Sequence, residues 1–318
     1  MNTQAVVIPQ PGQVTLQEVT LRQPGPDDLI IQTVYTSISA GTERMLLGGQ
    51  MPHPMLQLPL IPGYETVGRV VGMGDNVSPD WQGRWVYVGG AQCYEGINAA
   101  WGGQSAQLFA EASRVISLDG VDTQQGVLLA LTATALHGID VLDPQTGDRM
   151  LVIGQGPVGQ LASRIARARG VWTAVSDPNR ARLDRAEADQ IIHVDNEALT
   201  DAINEPVSAI IEASGSMAAL SAALPLLAPG GTIVLLGYYQ NLDIPYMPLF
   251  LKEARLLTAK EWAKGDLQRS RDLIAAGTLN VDSLLTHRFP VVDVSTAYDV
   301  ALNDLDCLKL VLDWSDVS

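Results

Sequence analysis

Up to about Asp119 the chain alternates short apolar and polar runs (AVVI, VTLQEV, LIIQTVYT, TVGRVV, RWVYVG, QLFAEA), with Gly, Pro and Asp between them. Period-two alternation puts one face of each run on a core and the other in water, and the intervening residues supply turns. This stretch therefore predicts a β-rich domain of many short strands, opening on a hairpin. From about Val121 the texture changes. MLVIG, WTAVSD, AIIEAS and TIVLLG are continuous runs rich in Val, Ile and Leu, separated by helical stretches. Strands buried on both faces need no polar alternation, so this part predicts βαβ units and a doubly wound parallel sheet. After Leu257 polar residues return, and RSRDLIAAGTL and VSTAYDVALN carry helical periodicity around the strand-like HRFPVV. The expected class is α/β: a β-rich domain over 1–120, a parallel-sheet domain over 121–257, and a segment over 258–318 that returns to the first.

Composition narrows the partners. At 318 residues the chain exceeds what one core usually supports, which agrees with two domains. Lys and Arg number 20 against 35 Asp and Glu, a net charge of -15 that repels phosphate backbones, so nucleic acid is not expected as a partner. The longest apolar stretch, Met217 to Tyr239, is broken by Pro225, Pro229, Gly230 and Gly231; it reads as helix, turn and buried strand, and no integral membrane segment is expected. The N-terminus has no basic stretch followed by an apolar core, so a cytoplasmic location is expected. Cys93 and Cys307 are far apart and outside any CxxC or Cys/His cluster, which fits a reducing compartment and no cysteine-bound zinc.

One motif carries specific chemistry. Met150 to Gly159 reads as a buried strand, a glycine-rich turn and a helix start, the arrangement of a Rossmann dinucleotide site. Gly154 permits the tight turn, Gly156 lets backbone approach a pyrophosphate, and Gly159 lets helix pack on sheet. Gln155 and Val158 complete the loop, and Pro157 suits the first helical turn, whose amides face the phosphates. The next strand ends in Asp177, at the spacing of a ribose ligand, and a carboxylate there favours NAD over NADP. Arg180 and Arg182 just downstream could soften that preference. Asp177 also has a second reading as the N-cap of PNRARLDRA. Ser214, Gly215 and Gly237 follow later strands at the sheet's carboxyl edge, as cofactor contacts or as plain turn residues.

Taken together, the order of domains and GQGPVG resemble the medium-chain, alcohol-dehydrogenase-like superfamily, which implies a GroES-like catalytic domain ahead of the Rossmann domain. The superfamily's Cys-Gly-Thr/Ser-Asp motif stands here as Ala40-Gly41-Thr42-Glu43, its Gly-His-Glu as Gly63-Tyr64-Glu65, and its third zinc ligand falls at Thr134. All three zinc-ligand positions have changed, and no metal is expected. GTERMLLGGQMPHP, LPLIPGYETVGRVV and CYEGINAAWGGQSAQL are similar to the bacteriochlorophyllide a dehydrogenase branch. That resemblance implies oxidation of the 3-(1-hydroxyethyl) group of a chlorin to 3-acetyl in bacteriochlorophyll biosynthesis. A homodimer through the edge of the Rossmann sheet is common in similar proteins.

Without a metal, protein hydrogen bonds must handle the hydroxyl proton. Thr42, as the relay hydroxyl or as a turn hydroxyl bonded to nearby backbone, and Tyr64, as a phenol at the vacated metal position or as a residue that fills it, are the leading candidates. Glu65, Glu43 and His137 follow, each with a structural alternative. The apolar loop Leu46–Leu58 places Met51, His53 and Met55 as chlorin contacts, with His53 a candidate for the central magnesium, and Trp101 as a stacking ring; loop packing is the alternative reading. Two rival functions stand: a zinc-free NAD(P)H reductase of activated double bonds or quinones, and a non-catalytic dinucleotide sensor.

Overall fold

The computed structural model describes residues 1–52 and 56–317 and divides into two compact units, one of Met1–Ala130 with the chain from Leu285 onward, the other of Leu131–Leu284. Both seams differ from the expected 120/121 and 257/258. The polar texture after Leu257 comes from helix Asp266–Ala275, which belongs to the second unit, where Arg269 bonds Asp140 (2.6 Å). A polar, surface-facing helix reads like a change of domain in sequence, although its contacts keep it with the parallel sheet.

In unit 1, strands Asn2–Gln10 and Gln13–Leu21 form the antiparallel hairpin that opens a five-stranded sheet. A seven-stranded sheet is built around Asp28–Ile38, which pairs with Thr66–Met73, with Gln107–Glu111 and, from the far end of the chain, with Lys309–Asp313. The return segment thus supplies a central strand; Leu285–Pro290 lies parallel outside it, and helix Val294–Asn303 joins the two. Leu310, Leu312 and Trp314 pack with Val6, Ile8, Ile38 and Leu60 in one buried cluster. Burying each such side chain contributes about 1.5–3 kcal/mol, which anchors the return segment.

In unit 2, Arg149–Ile153 is flanked by Trp172–Asp177 and Val207–Glu212; Gln190–His193 lies outside the first, Leu227–Leu235 and then Arg255–Thr258 outside the second, all parallel. In chain order this is 3-2-1-4-5-6, the doubly wound arrangement whose switch point falls beside the central strand, where the glycine-rich loop begins. The stretch Met217–Tyr239 is helix Met217–Ala223, a 3-10 turn and strand Leu227–Leu235, as its Pro and Gly breaks require. Among the described residues, the one helix long and apolar enough to cross a membrane is the run Gln125–Leu142; 61% of it is buried inside the protein, which marks a core helix.

Candidate functional site

In unit 1, the chain leaves strand Asp28–Ile38 and enters helix Ala40–Leu47 at its cap, Ser39. Ser39 and Thr42, three residues apart, sit one above the other. Both reach the Tyr64 phenol, whose oxygen is 2.6 Å from Ser39 Oγ and 3.2 Å from Thr42 Oγ1. The Tyr64 carbonyl accepts from Tyr87 (2.7 Å), and its ring packs against Trp101 with centroids 5.3 Å apart. The result is a chain of three hydroxyls, buried at Ser39 and Tyr64 and partly open to solvent at Thr42.

Two buried carboxylates flank this chain. Glu65 Oε2 accepts from the buried Lys309 ammonium and from Ser37 Oγ (2.6 Å), while Oε1 has no hydrogen-bond partner among the described residues. Glu43 Oε1 accepts from the Ser39 backbone N–H (3.2 Å) and from Gln104 Nε2 (3.1 Å), and Tyr298 donates to Gln104 Oε1 (3.1 Å). Burial, reinforced by repulsion from Glu65 and opposed by hydrogen bonds and by Lys309, lifts the Glu43 carboxyl to about 7. Burial and then the Glu65 charge push the Tyr64 phenol well above its ordinary value, so it holds its proton at neutral pH and works as a donor, not as a resting base.

Several expected roles change. Glu65 is the buried ion-pair partner of Lys309 through Oε2, which also accepts from Ser37, so at least part of its carboxylate serves the structure. His137 lies in unit 2, on helix Leu129–Leu142, where its Nδ1 faces Asp266 of helix Asp266–Ala275 at 3.6 Å, an arrangement that favours the structural alternative. Met51 is buried in the same cluster as Leu46 and Trp314, so it serves packing and not a substrate face. His53 and Met55 lie outside the described residues. Trp101 borders Tyr64 as described.

In unit 2 the glycine-rich loop follows strand Arg149–Ile153. Gly154 has φ +88° and lies so close to Ser214 that a Cβ would come within 2.7 Å of its backbone; at Gly159 a Cβ would stand 1.9 Å from the Gly154 carbonyl oxygen. Neither position admits a side chain. Gly156 caps helix Pro157–Ala168, with Pro157 and Val158 in its first turn, and a Cβ there would meet no protein atom within 4 Å. That open backbone, beside helix amides, is a cradle that fits a dinucleotide pyrophosphate. Asp177 bridges the loop: Oδ2 accepts from Gln155 N–H and Oδ1 from Asn179 N–H, each at 2.7 Å, leaving each oxygen a further lone pair for a ribose hydroxyl. It does not cap the following helix; Asn179 does, accepting from Arg182 N–H at 3.1 Å. Buried Glu212 organises the far side, with Oε1 accepting from Ser214 N–H (2.8 Å), Oε2 from Gly215 N–H (3.2 Å), and its carbonyl from Gly237 N–H (3.0 Å).

Sequence reasoning missed Ser39, Gln104, Tyr298, Lys309 and Glu212. Only two had a local signal: Ser39 as a hydroxyl at a helix start, three residues before Thr42, and Glu212 as an acid ending an apolar strand. Among the described residues, no three His, Cys, Asp or Glu side chains gather as a metal-binding group.

Family models for the alcohol dehydrogenase GroES-like domain and for the zinc-binding dehydrogenase match residues 25–120 and 157–276. Over 99% of both chains, the protein is 37% identical to a 2-desacetyl-2-hydroxyethyl bacteriochlorophyllide A dehydrogenase of Rhodobacter capsulatus, and over 99% of both it is 34% identical to one of Cereibacter sphaeroides. The chain belongs to the bacteriochlorophyllide dehydrogenase family of the medium-chain dehydrogenases. Its fold is also that of the L-idonate 5-dehydrogenase of Escherichia coli, at TM-score 0.89 and 19% identity over 98% of each chain. In this chain Thr42 and Tyr64 lie in the two motifs that resemble those supplying zinc ligands elsewhere in the superfamily, and Ser39 directly precedes the first.

Glu43 gives a stability prediction with a definite sign. Its folded value of about 7 lies above the unfolded carboxylate value of about 4.3, so folding binds a proton between them. Stability is therefore lost as pH rises from about 4.3 through about 7, by roughly 4 kcal/mol. Glu43→Gln carries no such loss, so its melting temperature relative to wild type rises from pH 5 to pH 8. A difference that stays flat with pH contradicts the assignment.

Proposed function

We propose that the protein oxidises the 3-(1-hydroxyethyl) group of a chlorophyllide to 3-acetyl, using NAD and no catalytic metal. The observation that carries the substrate is the 37% identity to a bacteriochlorophyllide A dehydrogenase along essentially both whole chains. The glycine-rich cradle supports a nicotinamide dinucleotide, held by the amides after Gly156, with Asp177 on the ribose. Asp177 repels a 2′-phosphate and so favours NAD. Of the two cations just downstream, Arg180 and Arg182, the first is paired to Asp184 at 2.8 Å. When bound, the oxidised nicotinamide supplies the hydride acceptor.

This chain's residues supply the rest. The Tyr64 oxygen first accepts a hydrogen bond from the carbinol and, once the carbinol proton has moved onto it, the Tyr64 hydroxyl donates to the alkoxide oxygen from whose carbon the hydride leaves. The carbinol proton passes to the Tyr64 oxygen while Tyr64 gives its own proton to Thr42, the partly exposed end of the chain, and from there it reaches solvent. Ser39 holds the phenol in line from the buried side. Protein treated with a chelator and given NAD and a 3-(1-hydroxyethyl) chlorin is expected to form 3-acetyl pigment and NADH one for one. NADP is expected to be poorer in kcat/KM by at least about tenfold, the effect of about 1.4 kcal/mol. Loss of turnover on chelation, or equal use of NADP, would overturn the proposal.

Oligomeric state forms part of the same reading. Tyr246, Phe250 and Leu251 are exposed beside the edge strand Arg255–Thr258, and Tyr246 stacks on Phe250 with centroids 5.6 Å apart. An unpaired parallel edge flanked by apolar side chains suits antiparallel pairing with a second copy. Light scattering is expected to give twice the chain mass, and Phe250→Glu with Leu251→Glu to return the monomer; a wild-type monomer contradicts this.

A further inference from the structure

Unit 1 contains a cavity of about 360 Å³ whose polar lining comes from Gln57, Gln92, Asn98 and Arg114, with Trp101 as its aromatic wall. Trp101 also packs on Tyr64 at 5.3 Å, so this cavity and the hydroxyl chain share a wall. The backbone at Trp101 is strained, with φ at +67°, a region a bulky L-residue rarely adopts. It is held there by neighbours: Ala91 N–H donates to the Trp101 carbonyl (2.7 Å), and the next residue, Gly102, donates to the Ile61 carbonyl (3.2 Å). Strain kept in place by surrounding bonds beside a reacting group points to a functional wall and not to filler.

Charge gives the cavity a ligand. The chain has 35 acidic against 20 basic residues, yet among the described residues no carboxylate lines this cavity and one guanidinium does. Arg114 ends the 3-10 helix Ala112–Arg114, is exposed, and forms no ion pair among the described residues. Gln92 Nε2 already donates to the Ala99 carbonyl (3.1 Å), so the Arg114 guanidinium, with the Asn98 amide in the same lining, is the donor set suited to a carboxylate. A chlorophyllide has an apolar macrocycle and one free propionate at its edge. The volume fits an edge of such a ring, not the whole of it.

We infer that this cavity receives the carboxylate-bearing edge of the substrate, with Arg114 paired to the propionate. The inference rests on the chlorophyllide reading above, and its test separates the two. Wild type, Arg114→Gln and Arg114→Lys are compared on the 3-(1-hydroxyethyl) chlorin free acid and on its methyl ester. Steady-state turnover and direct binding, read by chlorin fluorescence, are both measured. For Arg114→Gln, KM and Kd for the acid are expected to rise about fivefold, as for a partly exposed charge pair, with kcat within about twofold and the ester unaffected. Arg114→Lys restores most of the acid binding, and added salt shrinks the difference between acid and ester. An equal effect on acid and ester, or none on either, overturns the subsite. No wild-type turnover, with the acid still bound about fivefold more weakly by Arg114→Gln, overturns the alcohol-oxidation reading while the subsite stands.

Discussion

Two buried carboxylates share one buried ammonium, and the catalytic unit is arranged around that imbalance. Lys309 arrives from the far end of the chain, 244 residues after Glu65, on the strand that completes the seven-stranded sheet. Removing one member of such a pair leaves an uncompensated charge in the interior, at a cost of about 3–5 kcal/mol. The pair therefore fixes the return strand against the turn that carries Tyr64. It neutralises Glu65 but not Glu43, whose burial lifts its carboxyl to about 7 and which accepts from Ser39 N–H and from Gln104, itself held by Tyr298.

That arrangement explains how a phenol can stand where the superfamily places a histidine. Burial and then the Glu65 charge hold Tyr64 firmly protonated, which suits the donor role proposed for it. It needs no positive charge to act in this way. Ser39 and Thr42 bracket it on one helical turn, so the same short element that begins the zinc motif elsewhere here supports a hydroxyl chain. The nucleotide unit has a parallel logic: Asp177 and Glu212 each pin a loop by accepting backbone N–H groups, which keeps the cradle formed before any ligand enters.

Much of this was legible in the sequence, for physical reasons that also set the limits. The strands of both units were visible because alternation and continuous apolar runs are local consequences of one-sided and two-sided burial. The turn at Gly154, Gly156 and Gly159, and Asp177 at the end of the next strand, were legible because strand, tight turn and helix follow one another at fixed spacing within a single βαβ unit. Thr42 and Tyr64 could be named from their motifs. Their surroundings could not, since Lys309, Gln104 and Tyr298 come from distant strands and a helix that only the tertiary fold brings together. His137 and Glu65 could not be ranked because titratable side chains in apolar sequence look alike whether they serve chemistry or an ion pair. Met51 misled because an apolar loop residue carries no mark of which way it faces.

The central claim is that the Tyr64 hydroxyl, held by Ser39 and Thr42, takes over the work of the lost metal. Single-turnover rates for wild type and Tyr64→Phe on the hydroxyethyl chlorin, with NAD binding measured in parallel, test it most directly. The account predicts a hydride-transfer rate lower by about 10²–10³, the scale of losing one stabilising donor, with NAD affinity unchanged. A Tyr64→Phe protein that transfers hydride at the wild-type rate would contradict it.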